Sequence, residues 1–266
     1  MTEVRFGPSG IGGAKQAIDN LRAYKKAGLR AAEVEFTYGI YLKNNDAELI
    51  GKEAKKLDIV LSVHAPYYIN LASEDEKKRE ESKKRILECC ERGHYFGSKI
   101  RKTPIVFHAA YYGKYPQQDC HEIVKKAILE MQAIIKRKKW NVVLAPETTG
   151  KASQFGSFEE LLKLAKETGC FFCVDFAHIE AREQQINLQT IFEKLKEQKY
   201  KYIHAHFSGI EYTKKGEKRH VATPEAKWKE LLIHVKKYNI PITIINESPF
   251  PFDDSIKGLK IWKQIS

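Results

Sequence analysis

Short apolar runs alternate along the whole chain with longer stretches in which apolar and polar residues follow helical spacing. The short runs predict strands buried on both faces, and the longer stretches predict amphipathic helices. The predicted strands are Val4–Pro8, Ala32–Phe36, Ile59–His64, Ile105–His108, Val142–Glu147, Phe171–Asp175, Tyr202–Phe207 and Ile242–Glu247. The predicted helices span roughly residues 14–28, 46–57, 75–97, 118–138, 157–168, 187–199, 224–238 and 254–264.

Eight repeats of strand and helix predict an α/β fold, a single (β/α)8 TIM barrel that occupies residues 1–266 as one domain. An open doubly wound sheet is the alternative, but it needs fewer alternations. Ser157 with Glu160 three residues later predicts a capping box at one helix start. Pro224 before Glu225 is typical of a first helical turn.

Six predicted strands end in a side chain that can bind a metal: His64, His108, Glu147, Asp175, His206 and Glu247. In a TIM barrel the C-terminal strand ends converge on one mouth, so these side chains should meet there. Any one of them could be an ordinary hydrogen-bonded residue. Together they favour a metal site, because a bound cation offsets the cost of packing acids and imidazoles into one mouth. Zinc suits this donor set, with manganese or iron as alternatives.

Other acids and imidazoles are harder to place. His204 faces the same way as His206, either as a further ligand or, as we prefer, as a deeper side chain that fills the barrel. Glu33 and Glu35 share a face of the second strand, and one of them should support the site from below; the sequence does not choose between them. Three histidines fall inside predicted helices and receive no chemical role: His94, His121 and His234.

Composition narrows the picture further. With 266 residues, of which 42% are hydrophobic, the chain can build one substantial core. The net charge of +12 suits a polyanionic partner or a solvated lysine-rich surface, and charge alone does not decide. The five cysteines do not form a disulfide framework, and Cys170 and Cys173 lie in a strand where burial is expected. The odd number of cysteines without a disulfide framework therefore predicts a reducing, cytoplasmic location. No apolar stretch has membrane-spanning length, so we expect no membrane partner.

Several motifs resemble the endonuclease IV family of apurinic/apyrimidinic (AP) endonucleases, within the xylose-isomerase-like barrels. The most specific is His-Ala-Pro-Tyr-Tyr-Ile-Asn-Leu at 64–71. Gly-Pro-Ser-Gly-Ile at 7–11, Val-Glu-Phe in the second strand and Glu-Ser-Pro at 247–249 also match, so the resemblance spans nearly the whole chain. Family members hold three zinc ions and cut the phosphodiester 5′ to an abasic site, leaving a 3′-hydroxyl.

The resemblance implies a role for each matching residue. It assigns His64 and His108 to one zinc, and Glu147 bridges that zinc to a second. The second zinc is completed by Asp175, His206 and Glu247. A third zinc is assigned to His178 and His220. Glu147 and Glu247 would thereby take part in catalysis. Tyr67 and Tyr68 match the pair that enters the DNA stack at the lesion.

This chain departs from the family pattern at three places. Lys218 stands two residues before His220, where the family has Asp, and Glu217 is the nearest carboxylate. We therefore expect two to three zinc ions, with manganese as an alternative, and a third site that is weak, differently built or absent. Strand four ends His108-Ala109 rather than His-Pro, and the loop at 37–41 lacks the arginine that the family uses on DNA. DNA bending and lesion choice should differ accordingly.

Basic and aromatic residues near the predicted mouth are candidates for DNA contact. Lys214, Lys215 and Arg219, in a basic loop after the seventh strand, should meet backbone phosphates, although a solvated loop is the alternative. Tyr111 and Tyr112 could stack on bases or pack within a loop.

The sequence predicts a hydrolase that uses zinc-activated hydroxide to cut double-stranded DNA at abasic sites and that acts as a monomer. A sugar isomerase or epimerase is the first alternative, since Glu147, Asp175, His206 and Glu247 suffice for one metal. A non-catalytic binder of damaged DNA, with a broken third site, is the second.

Overall fold

Eight parallel strands form a closed barrel in the computed structural model, which describes residues 2–97 and 101–266. The strands in chain order are β1 (Val4–Pro8), β2 (Ala31–Glu35), β3 (Val60–His64), β4 (Thr103–Phe107), β5 (Ala110–Tyr111), β6 (Val142–Pro146), β7 (Gln154–Phe155), β8 (Cys173–Asp175), β9 (Ile203–Phe207), β10 (Gly209–Thr213), β11 (Gly216–Val221) and β12 (Ile242–Asn246). Two parallel sheets, β1-β12-β9-β8 and β2-β3-β4-β6, are joined by single bridges between Ser9 and Glu33 and between Glu147 and Cys173. The predicted TIM-barrel fold is therefore confirmed.

Helices cover the outside of the barrel. In the described residues they are α1 (Ala17–Lys26), α2 (Asn44–Leu57), α3 (Glu76–Gly93), α4 (Gln117–Lys138), α5 (Phe158–Thr168), α6 (Phe176–Glu183), α7 (Leu188–Glu197), α8 (Glu225–Tyr238) and α9 (Pro251–Ile265). All eight predicted helices are present, with ends that differ from the prediction by at most about four residues. The sequence analysis missed α6, because this helix of eight residues begins directly after the strand that ends at Asp175 and is too short to show a clear helical repeat.

Side-chain caps account for two helix starts near the mouth. Ser157 accepts a hydrogen bond from the Glu160 amide at 3.3 Å, and the Glu160 carboxylate accepts one from the Ser157 amide at 2.9 Å, which confirms the capping box. Asp175 ends β8 and caps α6, accepting from the His178 amide at 2.7 Å. Pro224 is the N-cap residue of α8, one position earlier than expected.

The segment predicted as a basic loop, Lys214 to Arg219, is instead part of a β-hairpin. Strands β10 and β11 pair in antiparallel fashion around a turn at Lys214 and Lys215. The pattern was misleading because one face of this hairpin is exposed, so its residues lack the apolar run of a barrel strand. A second small antiparallel pair, β5 with β7, lies after the ends of β4 and β6.

Aromatic packing ties the barrel to its outer layer. Trp228 of α8 is fully buried, with its ring edge-on to Phe6 and Phe207 at centroid distances of 5.8 and 4.7 Å. Gly258 of α9 allows this, since a Cβ there would lie 2.8 Å from the Trp228 ring. All five cysteines are buried and unbridged, and burial was predicted for two of them, Cys170 and Cys173. Within the described ranges, none of the helices has the length and apolarity required to cross a bilayer.

Candidate metal centre

All eight predicted metal ligands lie at the C-terminal mouth of the barrel. His64 is the last residue of β3, Asp175 is the last residue of β8, and His206 lies in β9. His108, Glu147 and Glu247 lie one position beyond the ends of β4, β6 and β12. His178 lies in α6 and His220 in β11. The strands bring together side chains that are far apart in sequence, as the barrel prediction requires.

Glu147 stands at the centre of this group and is 1% exposed. Its Oε2 lies 3.2 Å from His64 Nε2 and 3.1 Å from His108 Nε2. Its Oε1 lies 2.9 Å from His206 Nδ1 and 3.4 Å from His178 Nδ1. One carboxylate thus divides its two oxygens between two pairs of imidazoles, which is the arrangement expected of a bridging ligand.

Three overlapping groups of potential ligands result. They are His64, His108 and Glu147; Glu147, Asp175, His206 and Glu247; and Asp175, His178 and His220. Within each group the ligand atoms all lie within 4.8 Å of one another. Bonds of about 2.0–2.2 Å to zinc place neighbouring ligands about 3–4 Å apart, so each group can close around one ion with small side-chain adjustments.

Glu217 joins the third group. Its two oxygens lie 3.4 Å from His178 Nε2 and 3.7 Å from His220 Nε2, while the two imidazole nitrogens are 3.3 Å apart. The sequence suggested a defective site because Lys218 occupies the family's Asp position. A β-bulge in the hairpin, where Glu211 pairs with Arg219 but the next residue pairs with Glu217, leaves Lys218 as the extra residue and turns Glu217 inward. Lys218 points to Glu211, at 3.6 Å.

The electrostatics of the centre fit divalent cations. In the described residues, every ion pair of Glu147, Asp175 and Glu247 is with a histidine rather than with lysine or arginine. Burial raises the pKa of Asp175 to about 6, and its buried Oδ2 has no hydrogen-bond partner. Burial opposes charge on His64, but the contact with Glu147 and nearby carboxylates raise its pKa to about 10. Without metal, protons on the histidines balance the charge of these carboxylates, and metal binding would displace those protons.

Glu33 supports the centre from inside the barrel. It is fully buried, and its two oxygens lie 2.9 Å from His206 Nε2 and 3.3 Å from His204 Nε2. A carboxylate on the far nitrogen of a metal-binding imidazole fixes the ring's orientation and tautomer. This geometry chooses Glu33 over Glu35 for the supporting role, and it places His204 deeper in the barrel, as preferred from the sequence. Burial raises the pKa of Glu35 to about 8.

Aromatic side chains surround the opening. Tyr67 and Tyr68 are 56% and 61% exposed, and the Tyr67 ring lies edge-on to His64 at 6.0 Å. Tyr38, which the sequence did not single out, is 81% exposed and contacts Tyr67 edge-on at 6.4 Å. Its position in the loop after β2, where the family's arginine is missing, was the available signal.

Of the two later tyrosines, only Tyr111 is exposed. Tyr112 is buried, and its hydroxyl donates to Glu160 at 2.7 Å, so it packs within the fold rather than offering a stacking surface. On the hairpin, Lys214 and Lys215 are exposed in the turn. Arg219 is exposed but donates two hydrogen bonds to Glu211, at 2.9 and 2.8 Å.

A barrel with polar strand ends gathered at one mouth defines a class of metal-dependent enzymes, and the comparisons with known proteins agree. Residues 21–265 match the family model described as "Xylose isomerase-like TIM barrel", and the chain belongs to that family. Members of this superfamily are enzymes, among them epimerases, isomerases and endonucleases, and they bind divalent metals.

The chain is similar to a protein of related sequence and to solved structures of related fold. An uncharacterized protein of Methanocaldococcus jannaschii is 34% identical over 261 residues, covering 94% of this chain and 92% of that protein. The structure of SacUVDE has a TM-score of 0.76 at 13% identity, covering 100% and 99% of the two chains. The D-psicose 3-epimerase of Clostridium cellulolyticum H10 has a TM-score of 0.68 at 11% identity, with coverage of 100% and 99%. These structural likenesses show the fold alone.

Proposed function

We propose that this protein is a metal-dependent DNA repair endonuclease that hydrolyses the phosphodiester 5′ to abasic sites and leaves a 3′-hydroxyl. The observation that carries the proposal is the size of the donor set. Glu147, Asp175, His206 and Glu247 are enough for a one-metal sugar enzyme. The further histidines and Glu217 extend the site on both sides of that core, which a proton shift on a ketose does not require.

Two to three zinc ions, with manganese as an alternative, would supply positive charge for the phosphoryl oxygens and lower the pKa of a bound water to about 7. The protein's own part is to hold the ligands. Glu147 joins two groups through its two oxygens, and Glu33 fixes the ring of His206. Glu247, with a side chain 16% exposed, would orient a water or accept its proton.

Substrate binding would use the rim and the surface charge. Tyr67 and Tyr68 present rings beside the metal centre that can occupy the gap left by a missing base. Lys214 and Lys215 lie on the hairpin that carries His220, where they can meet backbone phosphates of the duplex. Arg219 would have to leave Glu211 to do the same. The net charge of +12 favours approach to DNA. The protein would act as a monomer.

The test is incubation of metal-replete protein with a 5′-labelled duplex that contains one abasic site. The proposal expects a chelator-sensitive cut 5′ to the site and a product end that a DNA polymerase can extend. An undamaged duplex is the control, and a duplex with a UV photoproduct is a second substrate that tests the range of lesions. No chelator-sensitive cut of the abasic duplex would refute the proposal.

A sugar epimerase remains the second candidate, since the structure contains a complete four-residue group and several structural neighbours are ketose epimerases. It predicts one metal per chain and turnover of a ketose. A non-catalytic binder predicts tight binding of abasic DNA without cleavage under any divalent metal.

A further inference from the structure

A cavity of about 430 Å³ opens at the end of the barrel opposite the metal centre. Its lining includes residues from the first three positions of five barrel strands, among them Arg5 of β1, Ser62 of β3, Thr103 of β4, His204 of β9 and Thr243 of β12. The interior of a TIM barrel is normally packed with branched apolar side chains. A cavity lined by hydroxyl groups and an imidazole at this place therefore requires a reason.

Among the described residues, four buried polar atoms of the lining have no hydrogen-bond partner. They are Ser62 Oγ, Thr103 Oγ1, His204 Nδ1 and Thr243 Oγ1, in residues that are 2%, 1%, 1% and 2% exposed. The other ring nitrogen of His204 faces Glu33 at 3.3 Å, so Nδ1 is the nitrogen left over. A buried polar atom without a partner is destabilising, so these atoms favour a hydrogen-bonding occupant of the cavity.

The outer wall of the cavity is basic. It carries Arg5, Lys55, Arg101 and Lys102 against the acids Glu3 and Asp58. Part of this charge is already matched, since Arg5 lies 2.6 Å from Glu3 and 3.3 Å from Asp58, and Arg101 lies 3.4 Å from Glu3. The guanidinium of Arg101 also covers the Tyr202 ring, 4.5 Å from its centre. Because basic groups outnumber acidic ones, this end of the cavity favours an anion.

We infer that this cavity is a second binding site, for a small anionic polyol of sugar-phosphate size. The hydroxyls of such a ligand would pair with Ser62, Thr103 and His204, and its anionic group would lie toward the basic wall. The volume lies within the usual range of about 300–1,000 Å³ for small-molecule pockets. At about 30 Å³ per molecule, water alone would need about fourteen molecules to fill it.

The site is separate from the proposed DNA cleavage but adjoins it through one layer of side chains. His204 Nδ1 faces the cavity, and His204 Nε2 faces one oxygen of Glu33. The other oxygen of Glu33 faces His206. A sugar phosphate could also bind at metal ions in the mouth. Any test must therefore distinguish the two ends of the barrel, and the cavity's hydroxyl groups allow this because they are remote from the mouth.

The experiment is calorimetric titration of the metal-replete protein with D-ribose 5-phosphate, with D-ribose and with inorganic phosphate. We expect ribose 5-phosphate to bind more tightly than either fragment. Thr103→Val and Ser62→Ala should each weaken its binding by about two- to tenfold, the worth of one neutral hydrogen bond. Thr190→Val, the same change on the exposed face of α7, is the matched control and should leave binding unchanged.

A crystal of wild-type protein soaked with ribose 5-phosphate provides a measurement that does not depend on any variant. Density for the ligand beside Thr103 and His204 would support the proposal. Ordered water alone in the cavity would overturn it. So would equal affinity for phosphate and ribose 5-phosphate together with no effect of Thr103→Val, because binding would then depend on cations elsewhere rather than on the cavity's hydroxyl array.

Discussion

Replacing Glu147 by Gln should remove most of the stabilisation that metal ions give this protein. The substitution keeps the shape of the side chain but exchanges one carboxylate oxygen for an amide that donates hydrogen bonds. Because Glu147 faces His64 and His108 with one oxygen and His206 and His178 with the other, two ligand groups lose a member at once. Cutting of abasic DNA should be abolished while the fold is retained.

The magnitude follows from the shared geometry. Losing even an outer partner of a metal ligand lowers metal affinity by about 10–100-fold, so about 100-fold per group is a conservative figure for losing a ligand itself. Two groups then lose about 5 kcal/mol, at about 1.4 kcal/mol per tenfold. At about 2–4 °C per kcal/mol for a chain of this size, the metal-dependent rise in Tm should fall by about 10–20 °C.

The assay is thermal unfolding of each protein with excess zinc and again with a chelator, and the quantity compared is the difference between the two Tm values. This difference is independent of what the substitution does to the metal-free protein. Glu53→Gln is the matched control, since the Glu53 side chain is also mostly covered, 15% exposed, but pairs with Arg22 at 2.8 Å on the outer helix α2. A zinc-dependent rise in Glu147→Gln equal to that of the wild type would refute the bridging assignment.

Four further predictions concern other parts of the account. Glu33→Gln should lower metal affinity by about 10–100-fold in a competition titration with a chromophoric chelator, because His206 loses its orienting carboxylate; unchanged affinity would remove Glu33 from the centre. Glu217→Gln should weaken binding of the third ion, whereas Lys218→Asp should leave it unchanged or tighter, as measured by elemental analysis after dialysis; the reverse order would mean that the bulge is misplaced. Ser157→Ala should lower the free energy of unfolding by about 1 kcal/mol with metal content unchanged. Tyr68→Ala should weaken binding of abasic DNA by about 1–3 kcal/mol without altering metal content, and equal affinity in a fluorescence anisotropy titration would argue against stacking.

The barrel and the main ligands could be predicted because they depend on simple regularities. The strand rhythm indicates a TIM barrel, and the barrel places strand ends at one mouth, so His64 and Glu147 could be associated without any contact information. Glu217 could not, because its direction depends on a bulge that strand alternation does not show. Glu33 and Glu35 share a strand face, and only their depths in the folded barrel separate them.

Features that depend on packing rather than on pattern were out of reach of the sequence. Helix α6 begins on the residue after β8 and has only eight residues, so neither a loop nor a long helical repeat marks it in the sequence. One face of the hairpin that carries His220 is exposed, so its sequence lacks the apolar run that is typical of a barrel strand. The cavity at Ser62 and Thr103 exists because small polar side chains from separate strands face one another, which no local signal records.

The most direct test of the central claim is anomalous diffraction at the zinc edge from crystals of metal-replete protein. The account predicts two or three peaks at the C-terminal mouth, with one on each side of Glu147 and the third, if occupied, between His178 and His220. Each peak should lie about 2.0–2.2 Å from its ligand atoms. A single peak held by the four-residue group alone, or no peak at the mouth, would contradict the claim of a multinuclear centre.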